Sequence, residues 1–339
     1  MKRATMTAPG QIEISEAQAP APGAGEVLLR IQRIGVCGSD IHVFHGKHPY
    51  TSYPVVQGHE FSALVEAIGP GVSGVAPGDK VTAMPQVVCG KCPPCSRGDE
   101  HICDVLKVQG FQAPGCAQQL WVTAADKIVK LPASFSFEQG ALVEPISVAV
   151  HAIARAGSLA GRRAVVLGAG PIGNLVAQAA RASGAEVLIT DLSEHRLEVA
   201  RRCGLAHTSN PAQETLSAAV RRAFGERGFD LAFECVGVEA TLTAAVENIA
   251  KGGTLVVVGV FGDKPRLDLG LVQDRELHIV GTLMYQRPDY EQAVAWVASG
   301  DIVTEPLMSE HFPMDRYLDA YRYIDEKRDQ TMKVFIDVA

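Results

Sequence analysis

Hydrophobic spacing changes character at about residue 157 of this chain. Before that point apolar residues fall in short runs of strand type, at 26–34, 61–68, 80–83 and 120–123, and turn clusters such as Gly69-Pro70-Gly71 and Pro77-Gly78-Asp79 separate them. Short strands with frequent turn signals predict a compact β-barrel-like unit whose loops carry function. Beyond it strands and helices alternate. A strand at 163–167 leads to a helix at 172–183, a strand at 186–190 and a helix at 212–224 that opens on Asn210-Pro211. A strand at 231–234, a helix at 240–249 and strands at 254–258 and 278–280 follow, five visible strands of a doubly wound parallel sheet expected to hold six. From about 286 come two amphipathic helical stretches and a strand-like 333–338, placed to rejoin the first unit. The expected fold class is α/β, with one domain at 1–150 completed by 286–339 and a second at 151–285.

Length and composition agree with that picture and narrow the partners. At 339 residues the chain holds about two domains, each large enough for its own core. A net charge of -7 argues against nucleic acid or an anionic membrane as the main partner. No apolar run approaches the roughly 18 residues of a spanning helix. Met1-Lys2-Arg3-Ala4-Thr5-Met6 lacks the apolar core of a secretion signal, so the expected location is cytoplasmic. In that compartment the eight cysteines are read as thiols rather than disulfides.

Four of them cluster. Cys89, Cys92 and Cys95 recur at two-residue gaps, and Cys103 follows after seven more residues. Four thiolates so spaced wrap tetrahedrally around one zinc ion and leave no open position, which makes a structural site. The competing reading is an iron–sulfur cluster, but those runs continue with C-x3-C-P, whereas here the gap is longer and Asp104 follows. Cys116, Cys203 and Cys235 have no spaced partners and read as small packing residues.

Cys37 stands apart, in Gly35-Val36-Cys37-Gly38-Ser39-Asp40-Ile41-His42, ahead of Gly58-His59-Glu60. A thiolate, an imidazole and nearby carboxylates are the donors of a catalytic zinc site, which uses about three protein ligands and keeps a fourth position open. Ser39 and His42 follow Cys37 closely enough to carry a proton from that position. Glu144, in Leu142-Val143-Glu144-Pro145-Ile146, is costly to bury unless it is paired or meets a metal; a surface place at a helix start is the other reading. His45, His48 and His101 are expected on the surface, and no spacing marks His151 as a ligand.

The second domain carries Gly168-Ala169-Gly170-Pro171-Ile172-Gly173 between a strand and a helix, with Asp191 about 20 residues on. In this setting Gly168 allows the tight turn, Gly170 lets backbone approach a pyrophosphate, and Gly173 lets helix and strand pack closely. The pyrophosphate would sit on the helix N-terminus, where free N–H groups favour anions. Asp191 accepts from a ribose 2′-OH and repels a 2′-phosphate, favouring NAD over NADP. Arg196 either flanks the adenine or belongs to a solvated helix face. Val258-Gly259-Val260 and Leu283-Met284-Tyr285 fall at the carboxyl edge of the sheet, where such sheets bind ligands.

Together these stretches resemble the zinc-dependent medium-chain alcohol dehydrogenase family over essentially the whole chain. The resemblance rests on the Cys37 and His59 motifs, the four-cysteine loop, Glu144-Pro145 and the glycine fingerprint, in that order. It implies a GroES-like β-barrel catalytic domain interrupted by a Rossmann domain. It also implies Zn(2+) at a catalytic and a structural site, NAD, a small-molecule alcohol substrate, and a homo-oligomer, tetramer or dimer. Ethanol-type members take a cysteine as third zinc ligand where this chain has Glu144-Pro145. That feature is similar to the polyol branch, which includes sorbitol, sugar-acid, butanediol and threonine dehydrogenases. Cys37 and His59 carry over as ligands, and the third is Glu60 or Glu144, because members differ. Sorbitol dehydrogenases carry an arginine before the tyrosine at the Tyr285 position, and this chain has Met284 there. The resemblance further implies a proton relay through Ser39, the nicotinamide ribose and His42.

The expected reaction is oxidation of a secondary alcohol of a polyol or sugar acid to the ketone by hydride transfer to NAD. Threonine 3-dehydrogenase or butanediol dehydrogenase activity is the neighbouring alternative. A zinc-lacking quinone or enone reductase is disfavoured by the Cys37, His59 and Glu144 set. A non-catalytic zinc- and nucleotide-binding protein is disfavoured by the acidic charge and the lack of a basic, aromatic-laced stripe.

Overall fold

Glu26–Gly35 is the longest strand and the axis around which the first unit is built. Its valine, leucine and isoleucine content suits a pleated, buried surface. In the computed structural model, which describes residues 1–339, it pairs antiparallel with Glu60–Ile68 on one side. Its other edge is shared: Leu120–Ala124 covers positions 26–30 and Lys333–Asp337 covers 33–35. The sheet runs Met308–Pro313, Lys333–Asp337, Glu26–Gly35, Glu60–Ile68, Lys80–Ala83, Ile128–Lys130. Leu29, Ile31, Phe61, Val65, Val81 and Trp121 lie in its core. The final strand thus joins residues near the chain's end to the first sheet, and its register sets Gly35 opposite both Glu60 and Phe335. The hairpin Lys2–Ala8 with Gln11–Glu16 has no counterpart in the hydrophobic pattern, because its second strand is mostly exposed and polar.

Contacts divide the chain into Met1–Glu144 with Gln286–Val294 and Met308–Ala339, and Pro145–Tyr285 with Ala295–Leu307. The second unit is a parallel six-stranded sheet in the order His207–Ser209, Glu186–Thr190, Arg163–Leu167, Leu231–Glu234, Thr254–Val257, His278–Gly281. Five of these strands stand out in the hydrophobic pattern. The sixth, His207–Ser209, is three residues long and too polar to show a period. Residues 301–303 are clipped to the helix Pro171–Ala182: the Gln178 amide accepts from Val303 N–H (2.7 Å) and donates to its carbonyl (3.2 Å), and Arg181 donates to Asp301 O (3.1 Å).

One helix starts later than its cap signal predicts. The helix expected from residue 212 begins at Leu216, capped by the Thr215 hydroxyl accepting from Ala218 N–H at 3.2 Å. Asn210 instead closes a turn, accepting from Ala212 N–H and donating to Leu192 O. Asparagine serves turns and caps by the same local bond, which is why the two are confused in sequence. No helix is long and apolar enough to cross a membrane.

Candidate active site

The first donor cluster grows out of the end of Glu26–Gly35. The chain leaves that strand at Cys37, which is the N-cap of the short helix Gly38–Phe44. The neighbouring strand Glu60–Ile68 begins immediately after His59. Because Gly35 pairs with Glu60, a Cβ at Gly35 would lie 2.6 Å from Glu60 Oε2 and 3.4 Å from the Lys333 side chain. Glycine there makes room for a buried carboxylate. The donor atoms of Cys37, His59 and Glu60 all lie within 4.8 Å of one another.

Around these three runs a network that spacing does not reveal. Asp40 accepts from Cys37 N–H (3.1 Å) and from the Gln57 amide (3.2 Å), and Gln57 accepts from Tyr321 O–H (3.0 Å). His59 Nδ1 is buried without a hydrogen bond, 3.7 Å from Asp40 Oδ1. A ring nitrogen facing a carboxylate while its neighbours are a thiol and a second carboxylate is the arrangement of a metal-ligating histidine with its supporting shell. Glu60 and Lys333 form a buried ion pair, the ammonium donating at 2.9 and 2.6 Å to the two carboxylate oxygens and at 3.3 Å to Val36 O. Burial opposes the charge on Lys333, and Glu60 outweighs it, raising its pKa above the ordinary lysine value. Burial likewise opposes charge on His59, and Asp40 and Cys37 overcome it, holding the imidazole well above the usual range. Burial pushes the Asp40 carboxyl up to about 6.

Glu144 is buried in the helix Phe137–Ala154 and is not in the cluster of Cys37, His59 and Glu60, although its charge acts on His59 and Lys333. Ser39 is half-buried and His42 exposed on the helix that Cys37 caps. Two of the three surface histidines need correction. His45 is exposed beside Asp325, but His48 is half-buried and stacked on Phe111, and His101 is buried with its Nδ1 3.0 Å from the Gln286 amide. Aromatic stacking and a distant amide offset the desolvation that local sequence alone would forbid.

The second cluster is local. Cys89, Cys92, Cys95 and Cys103 bring their sulfurs within 4.8 Å of one another, and all are free thiols. Tetrahedral ligands about 2.3 Å from a zinc ion stand about 3.8 Å apart. The Cys92–Cys103 and Cys89–Cys103 sulfurs are separated by 3.8 and 3.6 Å. The Lys91 and Cys92 backbone N–H groups draw the Cys89 thiol down to about 6, while burial pushes the Cys95 thiol up to about 12.

In the second unit, Gly170 caps the helix Pro171–Ala182 with no side-chain bond to its N–H groups. Gly168 has φ +99°, and a Cβ at Gly173 would lie 1.9 Å from Gly168 O, whereas one at Gly170 would meet nothing closer than Arg196 Nη1 at 3.9 Å. Turn, close packing and open approach are thus divided among the three glycines as a pyrophosphate cradle needs. Asp191, just past its strand, accepts from Ala169 N–H (2.7 Å) and Ser193 N–H (2.8 Å). Arg196 is half-buried, 3.8 Å from Asp191 and above Gly170. Val258 and Gly259 both donate their N–H to Glu234 O, while Val260 and Leu283 are exposed, Met284 has φ +52°, and Tyr285 is buried. Glu234, unnoticed in the sequence, is fully buried at the end of Leu231–Glu234; its carboxylate accepts from Val236 N–H, Gly237 N–H and the Thr241 hydroxyl. It ties together the loops after two neighbouring strands.

A barrel-type unit with two sulfur-containing donor clusters, joined to a nucleotide fold, defines a metal-assisted oxidoreductase. Comparison with known proteins agrees. The alcohol dehydrogenase GroES-like domain matches residues 23–133 and the zinc-binding dehydrogenase domain residues 171–299. The chain is 38% identical to 2-dehydro-3-deoxy-L-galactonate 5-dehydrogenase of Pseudoalteromonas atlantica, over 96% of this chain and 95% of that one. It is 32% identical to D-xylulose reductase of Saccharomyces cerevisiae, over 97% and 95%. The solved structure of galactitol-1-phosphate dehydrogenase from Escherichia coli superposes with a TM-score of 0.92 at 29% identity, covering 100% of both chains. The chain belongs to the zinc-dependent medium-chain alcohol dehydrogenase family, on its polyol branch.

Proposed function

We propose that this chain is an NAD- and zinc-dependent dehydrogenase that oxidises a secondary alcohol of a polyol or sugar acid to the ketone. The convergence of Cys37, His59 and Glu60 within 4.8 Å carries the reading. Cys37 and His59 hold the catalytic zinc with a glutamate, Glu60 or Glu144, and the four-cysteine loop holds the structural one. Met1–Glu144, Gln286–Val294 and Met308–Ala339 make up the catalytic domain, and Pro145–Tyr285 with Ala295–Leu307 bind NAD. Bound zinc supplies a Lewis acid that lowers the pKa of the substrate hydroxyl, and bound NAD supplies the hydride acceptor. Asp40 orients His59, and Lys333 pairs with Glu60 in a buried place. Ser39 takes the hydroxyl proton, and the exposed His42 delivers it to water. Gly168, Gly170, Pro171, Ile172 and Gly173 cradle the pyrophosphate, and Asp191 binds the adenosine ribose.

The names of the relatives support a sugar-acid or polyol substrate. The edge strand His278–Gly281, with Ile279 exposed, supports a homo-oligomer, because an unpaired edge is a template for a second copy. The working location is the cytoplasm. A panel of polyols, aldonates, diols and threonine, followed by NADH absorbance, tests the reading. Turnover of one or more secondary alcohols is the expected result. Fast oxidation of a primary alcohol with every panel member inert overturns the branch assignment.

A further inference from the structure

His48 lies outside the donor cluster, yet its ring is held more firmly than a surface loop requires. Its face stacks on Phe111 at 4.9 Å between centroids and 16° between planes, and the other neighbour of Phe111 is His59, at 5.0 Å. Phe111 is buried, so the stack holds the imidazole on a ring that also packs against a proposed zinc ligand. The loop beneath it is pinned as well: the Gln112 amide donates to Tyr50 O at 3.2 Å while accepting from Val108 N–H at 2.9 Å.

The hydrogen bonds also settle which nitrogen carries the proton. Tyr50 N–H, which can only donate, faces His48 Nδ1 at 3.4 Å, and the Thr51 hydroxyl reaches the same atom at 2.8 Å. Nδ1 is therefore the acceptor, and in the neutral ring the proton sits on Nε2. Burial above all holds His48 below the ordinary histidine pKa. No protein group engages Nε2. The result is a fixed, neutral, single hydrogen-bond donor beside the proposed catalytic cluster.

We propose that His48 is a specificity residue that donates Nε2–H to a second hydroxyl of the substrate, one on a carbon other than that being oxidised. This rests on the dehydrogenase reading of the Cys37–His59 site. Its neutrality favours a hydroxyl over the carboxylate end of a sugar acid. A site built to bond a substrate hydroxyl discriminates against an analogue that lacks it, because the donor is left unpaired.

The test compares kcat/KM for 2-butanol, which has no second hydroxyl, with that for sorbitol, xylitol and galactonate, in wild type, His48→Phe and His48→Gln. His48→Phe keeps a ring on Phe111 and removes the donor. It is expected to lower kcat/KM on the polyhydroxy substrate about 10–100-fold while changing 2-butanol by less than about 3-fold. His48→Gln, which keeps an N–H donor without the stack, is expected to recover part of that loss. Equal losses on both kinds of substrate, or none on either, overturn the role of His48 and leave the dehydrogenase reading standing. A zinc-loaded wild type inert towards every alcohol sinks the dehydrogenase reading, and the role of His48 with it.

Discussion

The two sulfur-containing clusters are built by opposite strategies. All four thiols of the Cys89–Cys103 loop come from one stretch of chain, and the bonds that tune Cys89 come from Lys91 and Cys92 within it. The Cys37–His59–Glu60 cluster draws its support from far away: Lys333 reaches Glu60 across 273 positions and Tyr321 reaches Gln57 across 264. A local cluster needs little from the rest of the fold, whereas the dispersed one works only when the final strand and helix are docked. Damage to the local cluster should therefore spare activity, whereas damage to the dispersed one should not.

The largest effect is expected at Cys37. Cys37→Ser is predicted to lower turnover by more than about 1,000-fold, while NAD binding measured by calorimetry stays intact and zinc falls to one per chain. Full activity in this variant, or after chelation, would sink the proposed mechanism. Next comes Lys333→Met, which leaves Glu60 as an unpaired buried charge. A loss of about 3–5 kcal/mol in urea unfolding is expected. A change within error would mean that Glu60 is neutral or paired elsewhere. Cys95→Ser supplies the converse, with a melting temperature lower by about 5 °C or more and near-normal kcat in the folded fraction. Equal damage to both properties would erase the contrast between the two clusters.

The smallest effect lies at Glu138, which meets Arg33 at 2.6 Å near the junction of Glu26–Gly35 with the final strand. Burial acts to raise its pKa, and its own backbone N–H and Arg33 outweigh that, leaving it below the ordinary glutamate value. A depressed folded pKa contributes stability above the unfolded value, about 4.5, and loses it as the pH falls through the folded one. Glu138→Gln should therefore destabilise slightly at pH 7, with the difference from wild type shrinking as the pH falls below about 4.5 in urea titrations. A difference that persists there would assign it to packing instead of charge.

What the sequence made legible follows the same divide. The parallel sheet, the glycine cradle and the cysteine loop are written in contiguous stretches whose spacing has a direct mechanical reading. Lys333 leaves only a faint trace, a charged residue ahead of Val334-Phe335-Ile336. Gln57 and Tyr321 left none, because their partners are set by tertiary docking and not by period. Glu234 was hidden differently: ending a short apolar strand looks like a surface position until its carboxylate is found gathering the N–H groups of the following loop. The shelter of His48 and His101 is hidden for the same reason, since Phe111 and Gln286, which provide it, lie far along the chain.

The strand Lys333–Asp337 also sets a clock. A ribosome delivers residues in order, so the thiol loop is complete once Cys103 has emerged, and the nucleotide fold once Leu307 has. The buried partner of Glu60 arrives later still. Nascent chains held at increasing lengths are thus predicted to capture zinc at the cysteine loop first, to bind NAD second, and to gain turnover only after Lys333 has cleared the exit tunnel. Fluorescent zinc capture on stalled chains would show the order. A partly made enzyme of this design would consume no cofactor.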